Sequence, residues 1–419
     1  MAIQGLRTTA NFVTDQRPKN WREGILLLYP NGSTPLTAIT SLMKKREVDD
    51  AEFNWWDKNL SSRRLQLVSS ATALTLAGTT VTLEASQNGK MLKVGDILLV
   101  EQTGEQLRVT ADPASETSIT VSRGWAASTA ATLDTTAAGK NPFLKIMGSS
   151  YEEGSLAPTG VSYDPTKRYN FTQIFRNTLE MTNTAMKTKL RTGDAIKEAK
   201  RECLEYHSID MEWSFWKGTR YEGTLNGKPV RELGGLEYWI SQYSSSANIK
   251  TVTSDYPSGL TMRGFEEYCY SIFQVGAKEK MCFGGNRSLL TINRLIRKNS
   301  QQHFVMGDTM KEYGMDVTRI VTPFGTLVFK NHPLFNQVPG GTTGGTAYYG
   351  MESWLYILDM ANITYVYMKD RDTHYEPDLE SNGMDGVQSG YLTECSIEVH
   401  HPQSHFLLKN LVDAVADAS

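Results

Sequence analysis

Three observations in the sequence predict an α+β protein with a small β module inserted into it. Thr192–Lys217 carries the apolar spacing of one long helix. After it, short alternating runs mix with further helical patterns, as in helices packed on a mostly antiparallel sheet. Before it, Ser69–Lys140 shifts in composition to Thr, Ala, Val and Gly, with turn signals at strand-length intervals.

The helix is the organising element. Its 26 residues contain no Pro and one Gly, at the second position, and would extend about 39 Å at about 1.5 Å per residue. Thr192 or Asp194 can cap its start, and Gly218 follows its last residue. Ile196, Ala199, Cys203, Tyr206 and Trp213 form one apolar stripe, and Leu204, Met211 and Phe215 a second. Two stripes predict a beam on which other layers pack.

Upstream, Met1–Met43 has little periodicity and reads as an extended arm. It ends in a short helix, Pro35–Lys44, capped by Thr34. Arg46–Val68 partly alternates and carries Phe53, Trp55 and Trp56 among charges, predicting a strand with exposed aromatics at an interface. Within Ser69–Lys140, Asn88-Gly89, Gly95-Asp96, Thr103-Gly104 and Asp112-Pro113 separate short strands of a small barrel or sandwich. The flanking strands Glu52–Leu60 and Phe143–Met147 are expected to pair with each other, and RYNFTQIFRNTLEMT leads towards the helix.

Downstream, Gly223–Ile240 reads as a turn and a short element. Leu260–Gly276 is a second helix with Phe265, Tyr268, Cys269, Ile272 and Phe273 on its apolar side. Lys280–Arg297 is a strand, a Gly284-Gly285 turn and a helix capped by Asn286 or Ser288. Val317–Lys330 is a hairpin, and Trp354–Tyr367 and Tyr391–Asn410 are expected to be strand pairs.

Composition excludes several classes of function. The 419 residues carry a net charge of −3, without the basic surplus of a protein that grips DNA phosphates. Cys203, Cys269, Cys282 and Cys395 lack CxxC spacing and read as buried free thiols in a reducing compartment. The first residues lack the apolar core of a signal peptide, and no run is long enough for a membrane span.

The candidate chemistry is thin. Gly284–Ser288 lies between a strand and a helix, where anions can bind, but lacks the phosphate-loop spacing and reads as a tight turn. Gly340–Gly350 reads as a flexible glycine-rich loop. His400, His401 and His405 cluster, yet His400 and His401 on a strand would point to opposite faces, and no Cys completes a zinc tetrahedron. Glu152-Glu153 and Glu266-Glu267 read as solvated acid pairs. Lys187–Arg201 carries a local charge of +4, read as a solvated helix face or as a contact with an acidic partner or polymer. No catalytic, cofactor or metal residue is assigned, and no enzyme activity is expected.

The order of segments resembles the major capsid protein of tailed bacteriophages, with the Hong Kong phage-type capsid fold. Several stretches are similar to a branch with a small β insertion near the extended loop: VGDILLVEQTGEQLRVT, SITVSRGW, LEMTNTAMKT, GLEYWI, GNRSLLTINRLI, VTRIVTPFGTLVF and SIEVHHPQSHFLLKNL. The resemblance implies an N-terminal arm at 1–45. It places the extended loop and the start of the peripheral domain at 46–68 and 141–190, and the insertion at 69–140. It places the spine helix of the peripheral domain within 191–235, an axial domain at 236–334, and return strands of both domains at 335–419. Only about 45 residues precede the first strand, so the helical scaffolding segment of some members is expected to be absent.

The function it implies is a virion shell, self-assembled from hexamers and pentamers in the host cytoplasm and enclosing double-stranded DNA without sequence-specific binding. A separate scaffolding protein, a portal and a decoration protein are the implied partners, and no membrane. A reading from another class is a phage tail or adhesion protein that binds a surface glycan through the β module. A third is a hydrolase with an unrecognised site.

Overall fold

The computed structural model describes residues 43–58, 63–68, 74–75, 77–84, 88–133, 135, 142–188, 194–257, 259–298, 310–312, 315–343 and 346–411. The expected arm, with its Thr34 cap and Pro35–Lys44 helix, lies outside them up to residue 42. So does Thr192. The chain forms two compact units: Trp56–Lys167, and Met1–Trp55 together with Arg168–Ser419.

The first unit is a six-stranded antiparallel barrel. Its staves run in the order Arg64–Gln66, Phe143–Ser149, Asp96–Val100, Gln106–Ala111, Ser118–Ser122 and Thr80–Thr82. A bridge between Leu67 and Leu83 closes the last strand onto the first, with Val68 N donating to Thr82 O at 3.0 Å and Glu84 N to Gln66 O at 2.9 Å. Closure removes the free edges that an open sheet of this size would expose. Alternate residues point inwards, and Leu65, Leu98, Val109, Val121, Leu144 and Ile146 meet in one core. The expected module limits, 69 and 140, therefore move outwards. The flanking strands are staves, because Leu65, Leu67, Leu144 and Ile146 complete the core. Phe143–Ser149 pairs with Arg64–Gln66 and Asp96–Val100, whereas Glu52–Asp57 pairs with Thr166–Phe171.

The second unit contains two large mixed sheets. The seven-stranded sheet runs Ile249–Thr251, Phe406–Lys409, Leu355–Leu358, Glu279–Gly284, Thr326–Asn331, Met315–Val321, Met310–Glu312. The five-stranded sheet runs Lys44–Val48, Ile363–Met368, Gly386–Val399, Gln173–Thr182, with His374–Glu376 also on Gly386–Val399. Both faces of the larger sheet are covered. Leu355, Ile357, Phe406 and Leu408 face the helices Met262–Ile272 and Asn286–Lys298, while Tyr356, Leu358 and Leu407 face the core shared with the long helix and the five-stranded sheet. Double coverage explains why these strands read as unbroken apolar runs.

The long helix spans Ala195–Lys217, with the Asp194 side chain accepting from Ile196 N. Gly218 ends it, at a place where a Cβ would meet the Ser214 and Leu233 carbonyls. The two expected stripes are buried only in part, at Cys203, Met211 and Phe215. Tyr206 is 64% and Leu204 39% exposed, and the face turned inwards is Cys203, His207, Met211 and Phe215, flanked by Glu212 and Trp216.

Several strand partnerships also differ from expectation. Leu355–Leu358 and Ile363–Met368 do not pair with each other; they belong to different sheets, as do Gly386–Val399 and Phe406–Lys409. Alternation marks a strand but does not name its neighbour. Phe53 and Trp55, expected at an exposed interface, are buried in the core against Trp239, whereas Trp56 is 61% exposed. The glycine-rich stretch is not a loop throughout: Gly341–Thr343 and Thr346–Tyr348 form a hairpin. Asn286 and Ser288 do not cap their helix, which already includes both. Ser288 Oγ donates to Gly285 O at 2.8 Å, and Asn286 Oδ1 accepts from Asn331 Nδ2 at 2.7 Å.

Candidate functional site

The inward face of the long helix carries two polar side chains that tie it to different parts of its unit. His207 lies one turn beyond Cys203 and one turn before Met211, in an otherwise apolar row. Its ring is fully buried. Nδ1 donates to Asn177 Oδ1 at 2.8 Å, and Nε2 lies 2.7 Å from Thr393 Oγ1. Asn177 and Thr393 stand on neighbouring strands of the five-stranded sheet, so one imidazole pins the helix to both. Burial lowers the ring's affinity for a proton, with Asp210 acting against it. Cys203 Sγ adds a contact to Asn177 O at 3.3 Å.

Five residues further on, Glu212 turns to the other sheet. Its Oε1 accepts from His332 Nε2 at 2.9 Å and from Trp216 Nε1 at 3.3 Å, with Glu212 and His332 both without solvent exposure. His332 follows the strand Thr326–Asn331 of the seven-stranded sheet, and its backbone N donates to Gly284 O at 2.9 Å. Trp216, Phe283 and Phe335 wall the pair. A buried polar group is tolerated only when it finds partners, and here the partner comes from 120 residues away in the chain.

Two more buried residues complete the fastening. Asn170 uses its whole carboxamide: Nδ2 donates to Gly234 O and Ile397 O, and Oδ1 accepts from Gly234 N and Phe171 N. Lys280 donates to Ile272 O, Val275 O and Ser404 O at 2.7 to 2.9 Å. Burial lowers its ammonium to about 8, with Asp359 opposing the shift. Beside it His405 accepts from Asp359 N at 3.2 Å through Nδ1, and burial lowers its imidazole to about 4.

The residues singled out in the sequence fall elsewhere. His400 pairs with Glu398 at 2.7 Å, His401 sits in a left-handed turn, and His405 faces Asp359. The Gly284–Ser288 turn is engaged by its own chain, with Asn286 N donating to Asn336 Oδ1 at 2.6 Å. All four cysteines are buried and free, and burial pushes Cys269 up to about 12. Glu152, Glu153, Glu266 and Glu267 are exposed. In the basic segment Lys197 faces Asp194, Arg201 faces Glu198 and Glu205, and Lys200 lies over the Tyr375 ring. Lys189 and Arg191 are outside the described residues. His207, Glu212, Asn170 and Lys280 were not anticipated. A signal existed only for His207, whose spacing sets it in the row Cys203, Met211, Phe215.

Each buried polar side chain followed here engages another part of the same chain. Such an arrangement holds a shape. The model of the family described as SU10 major capsid protein matches residues 4–412, and the chain belongs to that family, the major capsid proteins of phages and components of the virion. The major capsid protein of Pseudomonas phage PaMx41 is 27% identical over 416 residues, covering 94% of this chain and 93% of that protein. Among solved structures, the capsid of a native GTA particle is 8% identical, with 96% of this chain and 98% of that chain covered and a TM-score of 0.49. A Microbacterium phage Oxtober96 chain is also 8% identical, with 94% and 96% covered and a TM-score of 0.43.

Proposed function

We propose that copies of this chain close into an icosahedral shell of hexamers and pentamers around the double-stranded DNA of a tailed phage, assembled in the host cytoplasm. The observation that carries this reading is the family match across residues 4–412. In this reading the chain does no catalysis. Residues 191–235 supply the spine of a peripheral domain, 236–334 most of an axial domain, and 335–419 strands returning to both. Apart from the barrel staves Arg64–Gln66 and Phe143–Ser149, residues 46–68 and 141–190 form the extended loop and lead to the spine, and the barrel is the insertion that this loop carries. A near-neutral chain, at −3, suits a lining that encloses DNA without gripping it. A scaffolding protein, a portal and a decoration protein are the partners such a shell would take. Electron microscopy of the purified protein tests the reading. Closed shells or capsomer rings are expected, whereas tubes or fibres would favour a tail or adhesion protein.

A further inference from the structure

The chain contains four Asn-Gly dipeptides, at Asn31, Asn88, Asn226 and Asn382, and the last three lie among the described residues. Such a dipeptide can modify itself. The glycine backbone nitrogen attacks Cγ of the asparagine side chain, an N–C bond forms, and ammonia leaves a five-membered succinimide. Water then opens the ring at either carbonyl to give aspartate or isoaspartate. No oxidant or cofactor enters. The glycine matters because no Cβ hinders the nitrogen, and the peptide must be free to rotate towards Cγ.

The fold treats the three sites differently. At Asn88 the nucleophile is held: Gly89 N donates to Glu116 O at 2.7 Å, and Gly89 is buried at the start of a short helical turn. At Asn226 the dipeptide is the exposed tip of the hairpin Tyr221–Leu225 and Lys228–Glu232. Asn226 has φ +51° and Gly227 φ +75°, the pair of left-handed residues that a two-residue hairpin turn requires. Strand pairing on both sides resists its rotation. At Asn382 the restraint is least. The turn is closed by Met384 N donating to Ser381 O at 3.1 Å, and Asn382 and Gly383 are both exposed. As at Gly227, nothing lies within 4 Å of where a Gly383 Cβ would be; no strand pairing flanks Asn382 and Gly383 directly, and among the described residues no hydrogen bond ties down the Gly383 N–H or the Asn382 carboxamide.

We infer that Asn382-Gly383, and more slowly Asn226-Gly227, are self-modification sites at which the chain converts an amide to a carboxylate through a succinimide, while the fold protects Asn88-Gly89. At Asn382 the new carboxylate joins Asp378, Glu380 and Asp385 on one loop, and Asp385 anchors that loop through Asn183 Nδ2. The product therefore concentrates negative charge where the chain is already acidic.

The test is peptide mapping by mass spectrometry of the full chain, aged at mildly alkaline pH, once folded and once in urea. In the folded chain conversion should be fastest at Asn382, slower at Asn226 and slowest at Asn88. In urea the three rates should converge, with Asn88 gaining about tenfold or more, as for a site that reacts only when its turn opens. N382Q should abolish the most abundant product and leave the other two rates unchanged. Conversion of Asn88 in the folded chain at the rate of Asn382, or Asn382 intact in the folded chain while it converts in urea, would overturn the inference.

Discussion

Glu105 in the barrel and Glu212 on the long helix are both buried carboxylates, at 1% and 0% exposure. Glu105 is enclosed by its own unit. Arg123 meets it with two nitrogens at 2.7 Å each, and Gly124 N and Ala131 N donate to it at 3.0 and 3.2 Å. Burial opposes its ionisation, but Arg123 and these two amides outweigh burial and hold the carboxyl below its usual range. Arg123 gives two further N–H groups to Thr75 O and Ala131 O. Among the described residues Glu212 accepts only from His332 and Trp216, and none of them partners its Oε2. The barrel thus seals a charge pair inside a short stretch of chain, while the helix uses a lightly supported carboxylate to reach a distant strand. The first arrangement stabilises a module; the second decides which elements the helix lies against.

This contrast can be broken at graded strength. Arg123→Met should have the largest effect. It leaves Glu105 buried without its counter-charge, at a cost of about 3–5 kcal/mol. Thermal unfolding should then show an early transition with the circular-dichroism signature of lost strand. A single transition at the unmodified temperature would remove the special status of the pair.

Acid should act next, and on the other unit. His405 has a folded pKa of about 4 against 6.5 for a free imidazole, so the unfolded chain takes up a proton first. Its contribution is intact above about pH 6.5, falls as pH drops, and is gone once pH passes below about 4. The expected loss is on the order of 3 kcal/mol, the sum of burial and of the opposing influences of Asp359 and His400 on one side and Lys280 and His401 on the other. Melting temperature against pH should be steeper for the unmodified protein than for His405→Gln across that window. Equal slopes would place the acid sensitivity elsewhere.

Glu212→Leu should be milder, about 1–3 kcal/mol, because it strands the N–H groups of His332 and Trp216. Combining it with His332→Leu should cost less than the two single changes added together, since the apolar pair leaves fewer orphans. Strict additivity in denaturant melts would mean that the two side chains do not act as a stitch. The smallest effect is expected for Lys197→Gln. This side chain is 84% exposed and faces Asp194 at 3.8 Å, and surface pairs of this kind contribute about 0–1 kcal/mol.

Much of this architecture is legible in the residue order. The long helix announces itself by an Asp194 cap, a Gly218 stop and no interrupting proline. The helix Met262–Ile272 buries Phe265, Tyr268, Cys269 and Ile272, the side its spacing predicts. The barrel strands are separated by the turns that Gly95 and Gly104 form at φ +89° and +71°. What stays hidden depends on contacts between distant residues. Leu65 and Leu144 alternate like any strand residues, and nothing local says that they fill the barrel. Phe53 and Trp55 look like interface aromatics until Trp239 covers them. Glu212 resembles a solvent-facing residue of a charged helix, because His332, which satisfies it, lies 120 residues away, and His207 is marked only by its place in the row Cys203, Met211, Phe215.

The barrel and the helix-centred unit are stabilised separately, each by its own buried polar knot. Hydrogen exchange followed by mass spectrometry on Arg123→Met tests it most directly. Amides of Arg64–Gln66, Asp96–Val100 and Phe143–Ser149 should lose their protection, while those of Ala195–Lys217 keep theirs. Equal loss of protection in the long helix would mean that the two units share their stability.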